Sequence, residues 1–322
     1  MAPGATERHS ALKAGFHAVA QLTLRRGLLS QGARPSRHGS ALPQRAGDRK
    51  DSPELGKDWY STDLFTDWGL KFIDEARKEQ KPFFLYIAQG VVHFPLRAPA
   101  DIIARYRGKY MRGWDQLREE RHARQLQMGI VDARWPLSPR PDESPAWETY
   151  EPDRQKRFDE IMSVYAAMID CLDHSMGQLV AGLKDRGVLD NTLIVFLSDN
   201  GGNAEGGPPG VTRGMGPIGG PQSYVLLGMN WATLANTPFR RYKHFTHEGG
   251  ISTPLIAHWP RGIPAGRRTV GAFPTFTLPQ PPRVAKQPQI KVGCLRAPCR
   301  AIFIANRHCG RAGNVSSGRT WH

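Results

Sequence analysis

The sequence lacks a paired-cysteine motif and any long apolar run. Only four of the 322 residues are cysteines, and no two are spaced as C-x-x-C, which disfavours a structural zinc site or a redox pair. Cys299 and Cys309 have no standard zinc spacing with His308 either. No apolar run approaches the ~18 residues needed to cross a bilayer, so we expect no membrane span. Residues 15–29 are too mixed for the core of a signal peptide, and the sequence assigns no compartment.

Acidic residues are nearly absent from both ends of the chain. Residues 1–50 contain nine Lys or Arg residues against two acids, and residues 271–322 contain eight and no acid. These ends account for the whole formal net charge of +15, because residues 51–270 contain 27 basic and 27 acidic side chains. A basic protein can bind nucleic acid through its charge, but the middle of this chain is neutral and carries no recognisable nucleic-acid module. We therefore expect no nucleic acid partner.

The composition divides the chain into three segments. Residues 1–50 show no sustained periodicity, and residues 271–322 are rich in Pro, Arg and Cys without a period. Both are interpreted as disordered or non-native basic segments. Such a composition is typical of a GC-rich gene translated out of frame, so the sequence predicts a frame error or a truncation at each boundary. Residues 51–270 remain as one domain.

Helix and strand patterns alternate within this middle segment. Amphipathic helices are predicted where apolar residues recur at spacings of three and four: residues 67–78, 100–127 and 157–186. Buried strands are predicted by short runs rich in β-branched and aromatic residues: residues 83–88, 193–198 and 254–257. This alternation is typical of an α/β fold.

Polar residues with metal-binding chemistry follow the strand at residues 193–198. The run LIVFLS ends abruptly at Asp199-Asn200-Gly201-Gly202. In open α/β sheets, ligands sit beyond the carboxyl ends of the strands. A carboxylate and an amide oxygen are the ligands that hard cations such as Ca²⁺ and Mg²⁺ prefer. The same four residues are also a good turn sequence, so the residues alone leave both interpretations open.

Two further polar groups accompany the other predicted strands. His93 follows the strand at residues 83–88 in the string His-Phe-Pro, and Lys243 precedes the third strand in the string Lys-x₄-Glu-Gly-Gly. Each has an ordinary interpretation, because a histidine before proline is usually a surface or capping residue and a lysine in a basic stretch is usually solvated. Their order along the chain, together with Asp-Asn-Gly-Gly, is more specific than any one motif.

Several stretches of the sequence carry a family resemblance: KPFFLYIA with HFPLRAP, RGKYMRGWDQLREER, YAAMIDCLDHSMGQL, DNTLIVFLSDNGG and NTPFRRYKHFTHEGGISTPLIAHWP. Together they resemble the sulfatases of the arylsulfatase type, in the alkaline-phosphatase-like superfamily, from about residue 58 to about residue 266. The resemblance implies an α/β fold with a mixed sheet flanked by helices, here incomplete at the N-terminal side. It also implies a sulfuric ester hydrolase, which cleaves a small-molecule or glycan sulfate ester into an alcohol and sulfate.

The resemblance assigns roles to four residues. Asp199 and Asn200 match the family's metal ligands on the Ser-Asp-Asn-Gly turn, where the metal is usually Ca²⁺ rather than Mg²⁺. Lys243 matches the lysine that contacts the sulfate and the leaving-group oxygen, and His93 matches a histidine that faces the ester. The roles are physically coherent, because a sulfate ester needs fixed positive donors for its oxygens and a proton for the departing alkoxide. Three neighbours are expected to support the site: His244, His247 and Glu248.

The sequence departs from the family at the nucleophile. The family's nucleophile is a formylglycine made from the Cys or Ser of a C-x-P-S-R motif, whereas the only similar string here, residues 33–37, is Ala-Arg-Pro-Ser-Arg. The family's early Asp-Asp pair, which supplies further metal ligands, has no counterpart before Asp58. The sequence therefore predicts a sulfatase domain without a nucleophile, inactive as written. Two alternatives stay open, namely a non-catalytic anion-binding fragment and a phosphatase-type member of the same superfamily.

Overall fold

The computed structural model describes residues 59–80 and 82–266 in full, and the backbone of three further strands, with the burial of two of their side chains. The described helices are α1 (Ser61–Lys78), α2 (Ala100–Ala104), α3 (Gly113–Gln127), α4 (Pro152–Asp185), α5 (Met229–Ala235) and α6 (Glu248–Ile251). The described strands are β1 (Val19–Leu22), β2 (Gln44–Arg45), β3 (Phe84–Gln89), β4 (Thr192–Ser198), β5 (Val211–Gly214), β6 (Ser223–Leu226), β7 (Leu255–His258) and β8 (Arg300–Asn306). None of these helices is long and apolar enough to cross a bilayer.

The main sheet is mixed and has the strand order β2-β1-β3-β8-β4-β7. Strands β1, β3, β8 and β4 run parallel, while β2 and β7 pair antiparallel at the two edges. Strands β5 and β6 form a separate antiparallel hairpin. The predicted α/β architecture, with a mixed sheet and helices packed against it, is confirmed. Because β3 and β4 are parallel members of one sheet, the segments that follow them emerge at the same edge.

The centre of the sheet differs from the prediction. Strand β8 lies between β3 and β4, in a stretch where the sequence predicts no regular structure, and β1 pairs with β3 from the other terminal segment. The short run Ala-Ile-Phe-Ile-Ala suits a buried strand, since Ile302 and Ile304 are 0% and 1% exposed. The Pro- and Arg-rich residues around it conceal this pattern. The other residues of both terminal segments lie outside the described part, so the three-segment division stays a prediction.

The helix predicted at residues 100–127 is also wrong in its middle. Helices α2 and α3 are separated by turns that contain Gly108, whose φ is +78°. The buried carboxylate of Asp159, on α4, accepts hydrogen bonds from the backbone N–H groups of Gly108 and Tyr110 at 2.7 and 2.8 Å. These N–H groups would otherwise belong to a helix ladder, and a charged acceptor competes well for them. A contact from a distant residue therefore divides the predicted helix.

Helix α4 organises two hydrophobic clusters. Its N-terminal half packs into an aromatic cluster in which Trp114 lies edge-on to Trp231, with the ring centroids 5.3 Å apart. Its C-terminal half contributes Leu179 and Leu183, both fully buried, to an aliphatic cluster with α1 and the central strands. Burial of each such leucine stabilises the fold by roughly 1.5–3 kcal/mol. The helix thus fixes the sheet whose strand ends carry the candidate site.

Candidate active site

Strand β4 delivers Asp199 and Asn200 to the edge of the sheet. The strand ends at Ser198, and the Asn200 amide nitrogen donates to Asp199 Oδ1 at 2.8 Å. The turn is held by the Ser198 hydroxyl, which donates to the Asn200 carbonyl at 2.9 Å, and by the Thr253 hydroxyl, which donates to the Ser198 carbonyl at 2.7 Å. Both predicted ligands are half-buried and adjacent at the carboxyl end of the strand, as the sequence predicts.

The glycines of the two motifs allow two backbones to touch. Gly201 N–H donates to the Gly250 carbonyl at 3.0 Å, and a Cβ added at Gly201 would lie 1.7 Å from the Gly249 carbonyl oxygen. A Cβ added at Gly250 would lie 2.0 Å from the Phe245 carbonyl oxygen. Any side chain at these positions would force the backbones apart. The Asp-Asn-Gly-Gly turn is therefore locked against the segment that carries Lys243.

Lys243 is held by this contact in an unusual backbone segment. Its N–H donates to the Gly202 carbonyl at 3.1 Å, and its side chain is 12% exposed. Arg241 and His244, two residues before it and one after, have φ values of +66° and +78°. Non-glycine residues rarely adopt this region, and such strain concentrates at functional sites. The segment thus directs the Lys243 ammonium inward at a conformational cost.

His93 approaches Lys243 from the turn after β3. Its N–H donates to the Gly90 carbonyl at 3.0 Å, and its Nδ1 lies 2.6 Å from the Phe94 carbonyl oxygen. Since a carbonyl only accepts, Nδ1 carries the proton, and in the neutral ring Nε2 is then an acceptor. Lys243 Nζ lies 3.5 Å from this Nε2. The structure therefore brings together two predicted site residues that are 150 positions apart.

Glu205 is a site residue that the sequence does not predict. Its Oε1 lies 3.4 Å from Lys243 Nζ and 3.2 Å from His244 Nε2. Burial raises the pKa of the Glu205 carboxyl, but a backbone hydrogen bond, Lys243 and His244 outweigh burial, and the pKa is lowered overall. The available signal was an acid six positions after Asp199 in a loop otherwise rich in glycine and proline. His247 and Glu248 are exposed, and the Glu248 carboxylate accepts a hydrogen bond from the hydroxyl of Ser252, the residue that follows α6.

The two side chains at the end of β4 offer oxygen ligands that suit a hard cation, but they fill only part of its coordination shell. Asp199 and Asn200 offer a carboxylate and an amide, and rotating the amide by half a turn exchanges its nitrogen for its oxygen. Among the described residues, no three His, Cys, Asp or Glu side chains are grouped so as to hold a metal ion. The pair therefore fits two positions of a Ca²⁺ site, which usually has about 6–8 oxygen ligands.

Within the part of the chain that the structure describes, no cysteine can act as a nucleophile. Cys171 is a free thiol on α4 that is 4% exposed, and burial raises its pKa to about 12. A buried thiol with such a pKa is inert at neutral pH. It packs within the helix, as the sequence predicts. Residues 33–37, the nearest match to the nucleophile motif, lie outside the described residues.

Comparisons with known proteins agree on one family. The family model named Sulfatase matches residues 30–278. An arylsulfatase of Klebsiella aerogenes is 34% identical over 226 residues, which are 67% of this chain and 48% of that protein. An uncharacterized sulfatase of Schizosaccharomyces pombe is 33% identical over 222 residues, which are 63% of this chain and 39% of that protein. The chain thus spans about half the length, or less, of these curated relatives.

A more distant relative and a solved structure complete the comparison. An N-acetylgalactosamine-6-sulfatase of Canis lupus familiaris is 26% identical over 207 residues, which cover 64% of this chain and 25% of that protein. Among solved structures, this chain is similar to the crystal structure of Ps i-CgsB in complex with k-i-k-neocarrahexaose. The two sequences are 25% identical, and the TM-score is 0.38. The match covers 69% of this chain and 32% of that one.

Proposed function

The chain belongs to the sulfatase family, and we propose that it supplies the sulfate-binding side of a sulfuric ester hydrolase site. The reaction would cleave a sulfate monoester into an alcohol and sulfate. The observation that carries this proposal is the convergence of Lys243 Nζ on His93 Nε2, 3.5 Å apart, beside the turn that carries Asp199 and Asn200. The proposed site would thus draw its four polar groups from three segments of the chain.

Each of the polar groups would have a definite task. The Lys243 ammonium would bind an ester oxygen and provide a proton for the departing alkoxide. His93 would accept one Lys243 N–H through Nε2 and fix the direction of the ammonium. Asp199 and Asn200 would hold two positions of a Ca²⁺ ion, which would neutralise charge on the sulfate oxygens. We propose Ca²⁺ rather than Mg²⁺, because the small rigid Mg²⁺ site demands near-octahedral geometry.

We propose that the chain as written binds the sulfate group but turns over slowly or not at all. The only string similar to the family's nucleophile motif has alanine, Ala33, in place of the Cys or Ser, and Cys171 is buried and protonated. Loss of a nucleophile leaves only binding and electrostatic stabilisation, so the rate should fall by a factor of roughly 10³ or more. This absence favours a non-catalytic anion-binding role as the second candidate. The substrate class would be a small-molecule or glycan sulfate ester, in keeping with the sulfated sugar in the name of one relative.

The test combines turnover with binding in residues 1–322. The chain is expressed with a formylglycine-generating enzyme, and an aryl sulfate is assayed with Ca²⁺ present, with no turnover expected. Binding of inorganic sulfate is then measured by calorimetry for the wild type, Lys243→Ala and the control Lys156→Ala, an exposed lysine paired with Asp153. Lys243→Ala should weaken sulfate binding about tenfold or more, since it removes a charged hydrogen-bond donor.

Each arm of this test can contradict one part of the proposal. Turnover at ordinary enzyme rates that Lys243→Ala abolishes would disprove the predicted inactivity. Sulfate affinity that is equal in the wild type and Lys243→Ala would disprove the sulfate site itself. A parallel titration with inorganic phosphate separates the phosphatase-type alternative, which predicts the tighter binding of phosphate.

A further inference from the structure

Glu205 places a negative charge inside a site proposed to bind an anion, and this needs an explanation. Its Oε1 is shared between Lys243 Nζ at 3.4 Å and His244 Nε2 at 3.2 Å. Its Oε2 is buried and has no hydrogen-bond partner in the structure. A bystander carboxylate at a sulfate site would repel the ligand and would gain more from facing water. The burial indicates that the position of this carboxylate is fixed for a purpose.

The backbone of Glu205 is held by a hydrogen bond within its own loop. Its backbone N–H donates to Asn203 Oδ1 at 3.1 Å, and Asn203 is 4% exposed. Asn203 follows directly after the two glycines of the Asp-Asn-Gly-Gly turn, and Gly202 accepts the backbone N–H of Lys243. The backbones of Glu205 and Lys243 are thus both held next to the same turn, one by the Asn203 side chain and the other by the Gly202 carbonyl. The two side chains therefore start from fixed positions on either side of their ion pair.

We infer that Glu205 is a positioning residue that holds the Lys243 ammonium against His93. An ammonium has three N–H groups. With one N–H directed to His93 Nε2 and the charge paired with Glu205 Oε1 at 3.4 Å, the ammonium keeps N–H groups for an ester oxygen. A long lysine side chain loses rotamer entropy on being fixed, and Glu205 imposes this order before the ligand arrives. This inference rests on the proposed sulfate-binding function.

The positioning role and the bystander role predict opposite changes in sulfate affinity for the substitution Glu205→Gln. If Glu205 only repels sulfate, Glu205→Gln removes a like charge and strengthens binding. If it positions Lys243, the same substitution removes the charged partner of the ammonium, loosens it and weakens sulfate binding by about tenfold. The glutamine is isosteric, so a change in shape does not explain either outcome.

The experiment measures inorganic sulfate binding by calorimetry in residues 1–322 at neutral pH. Glu205→Gln should bind about tenfold more weakly, and Glu205→Asp should recover part of the loss because it keeps the charge on a shorter side chain. The matched control is Glu143→Gln, which removes an ion pair with Arg241 at 3.1 Å on the same segment but outside the proposed site. That control should bind sulfate as the wild type does. Thermal unfolding of each variant verifies that it is folded.

A second readout follows the ammonium itself. In protein labelled with ¹⁵N at lysine Nζ, an ordered Lys243 ammonium gives a resonance that Lys243→Ala identifies by its loss. This resonance should persist in Glu143→Gln and disappear in Glu205→Gln. Retention of the resonance in Glu205→Gln, or sulfate binding as tight as in the wild type, would overturn the positioning role. If Lys243→Ala leaves sulfate binding intact, the proposed function fails instead, so the two failures are distinguishable.

Discussion

Helix α4 and the loops of the candidate site are stabilised in different ways. The helix is fixed by side chains, because Leu179 and Leu183 are fully buried in a hydrophobic cluster with α1 and the sheet. The site loops are fixed by backbone hydrogen bonds. The Gly201 N–H donates to the Gly250 carbonyl, and the Lys243 N–H donates to the Gly202 carbonyl. A packed surface of side chains loses stability when a buried group is removed, whereas two backbones in contact cannot accept an added methyl group. The two regions should therefore fail under opposite substitutions.

Removing volume from α4 should give the largest loss of stability. Leu179→Ala deletes a fully buried side chain between the helix and the sheet, and such substitutions cost about 4 kcal/mol when the cavity does not collapse. Chemical denaturation should show this loss, with sulfate affinity unchanged in the molecules that remain folded. Val180→Ala, on the exposed face one residue later, is the control and should cost little. If Leu179→Ala weakened sulfate binding per folded molecule, the separation of the two regions would be wrong.

Adding volume to the site loops should cost somewhat less stability but remove function. Gly201→Ala places a methyl group 1.7 Å from the Gly249 carbonyl oxygen, and the forced shift should cost about 3 kcal/mol. Sulfate binding should be lost as well, because Asp199 and Lys243 move apart. The matched control is Gly177→Ala on α4, where a Cβ meets no atom within 4 Å. It should stabilise the protein by about 0.5–1 kcal/mol, since alanine suits a helix better than glycine.

The same difference explains what the sequence could predict. The large apolar residues of α4 recur at spacings of three and four, and β3 and β4 are nearly continuous apolar runs, so the local pattern locates these elements. The residues His93 and Lys243 were identified through motifs and their order, not through any pattern that shows them in contact. Their 3.5 Å approach depends on strand order, which is a property of the whole sheet.

Other features arise from long-range contacts and leave little trace in the sequence. Strand β8 pairs with β3 on one side and with β4 on the other, and its short apolar run does not predict either pairing. The break between α2 and α3 depends on Asp159, about fifty residues downstream. In the sequence, Glu205 cannot be distinguished from any other acidic residue of a loop. Its contact with Lys243 in the folded chain makes it a site residue. Interactions between distant residues are therefore where sequence-based prediction stops.

The smallest expected effect concerns the ion pair between Arg186, directly after α4, and Asp74 on α1. Arg186 donates two hydrogen bonds to the Asp74 carboxylate on α1, each 2.7 Å long, and these bonds together with the nearby positive charge lower the Asp74 pKa. A carboxyl whose pKa is lowered by folding contributes stability above its unfolded pKa of ~3.9 and loses it as the pH falls through the folded value. Asp74 is 38% exposed, so solvent screening limits the contribution to about 1 kcal/mol or less.

Asp74→Asn should therefore lower the free energy of unfolding by about 0.5–1 kcal/mol at pH 7, and this difference from the wild type should be smaller at pH 2, below the unfolded pKa. Denaturant titrations at the two pH values measure it. Asp153→Asn removes the exposed pair with Lys156 on the first turn of α4 and should change stability by no more than a few tenths of a kcal/mol at either pH. A deficit for Asp74→Asn that stayed constant down to pH 2 would show that packing, not charge, ties α1 to α4. The contrast between the two regions would then be sharper, because α4 would depend on apolar burial alone while the candidate site keeps the functional ion pair of Lys243 and Glu205.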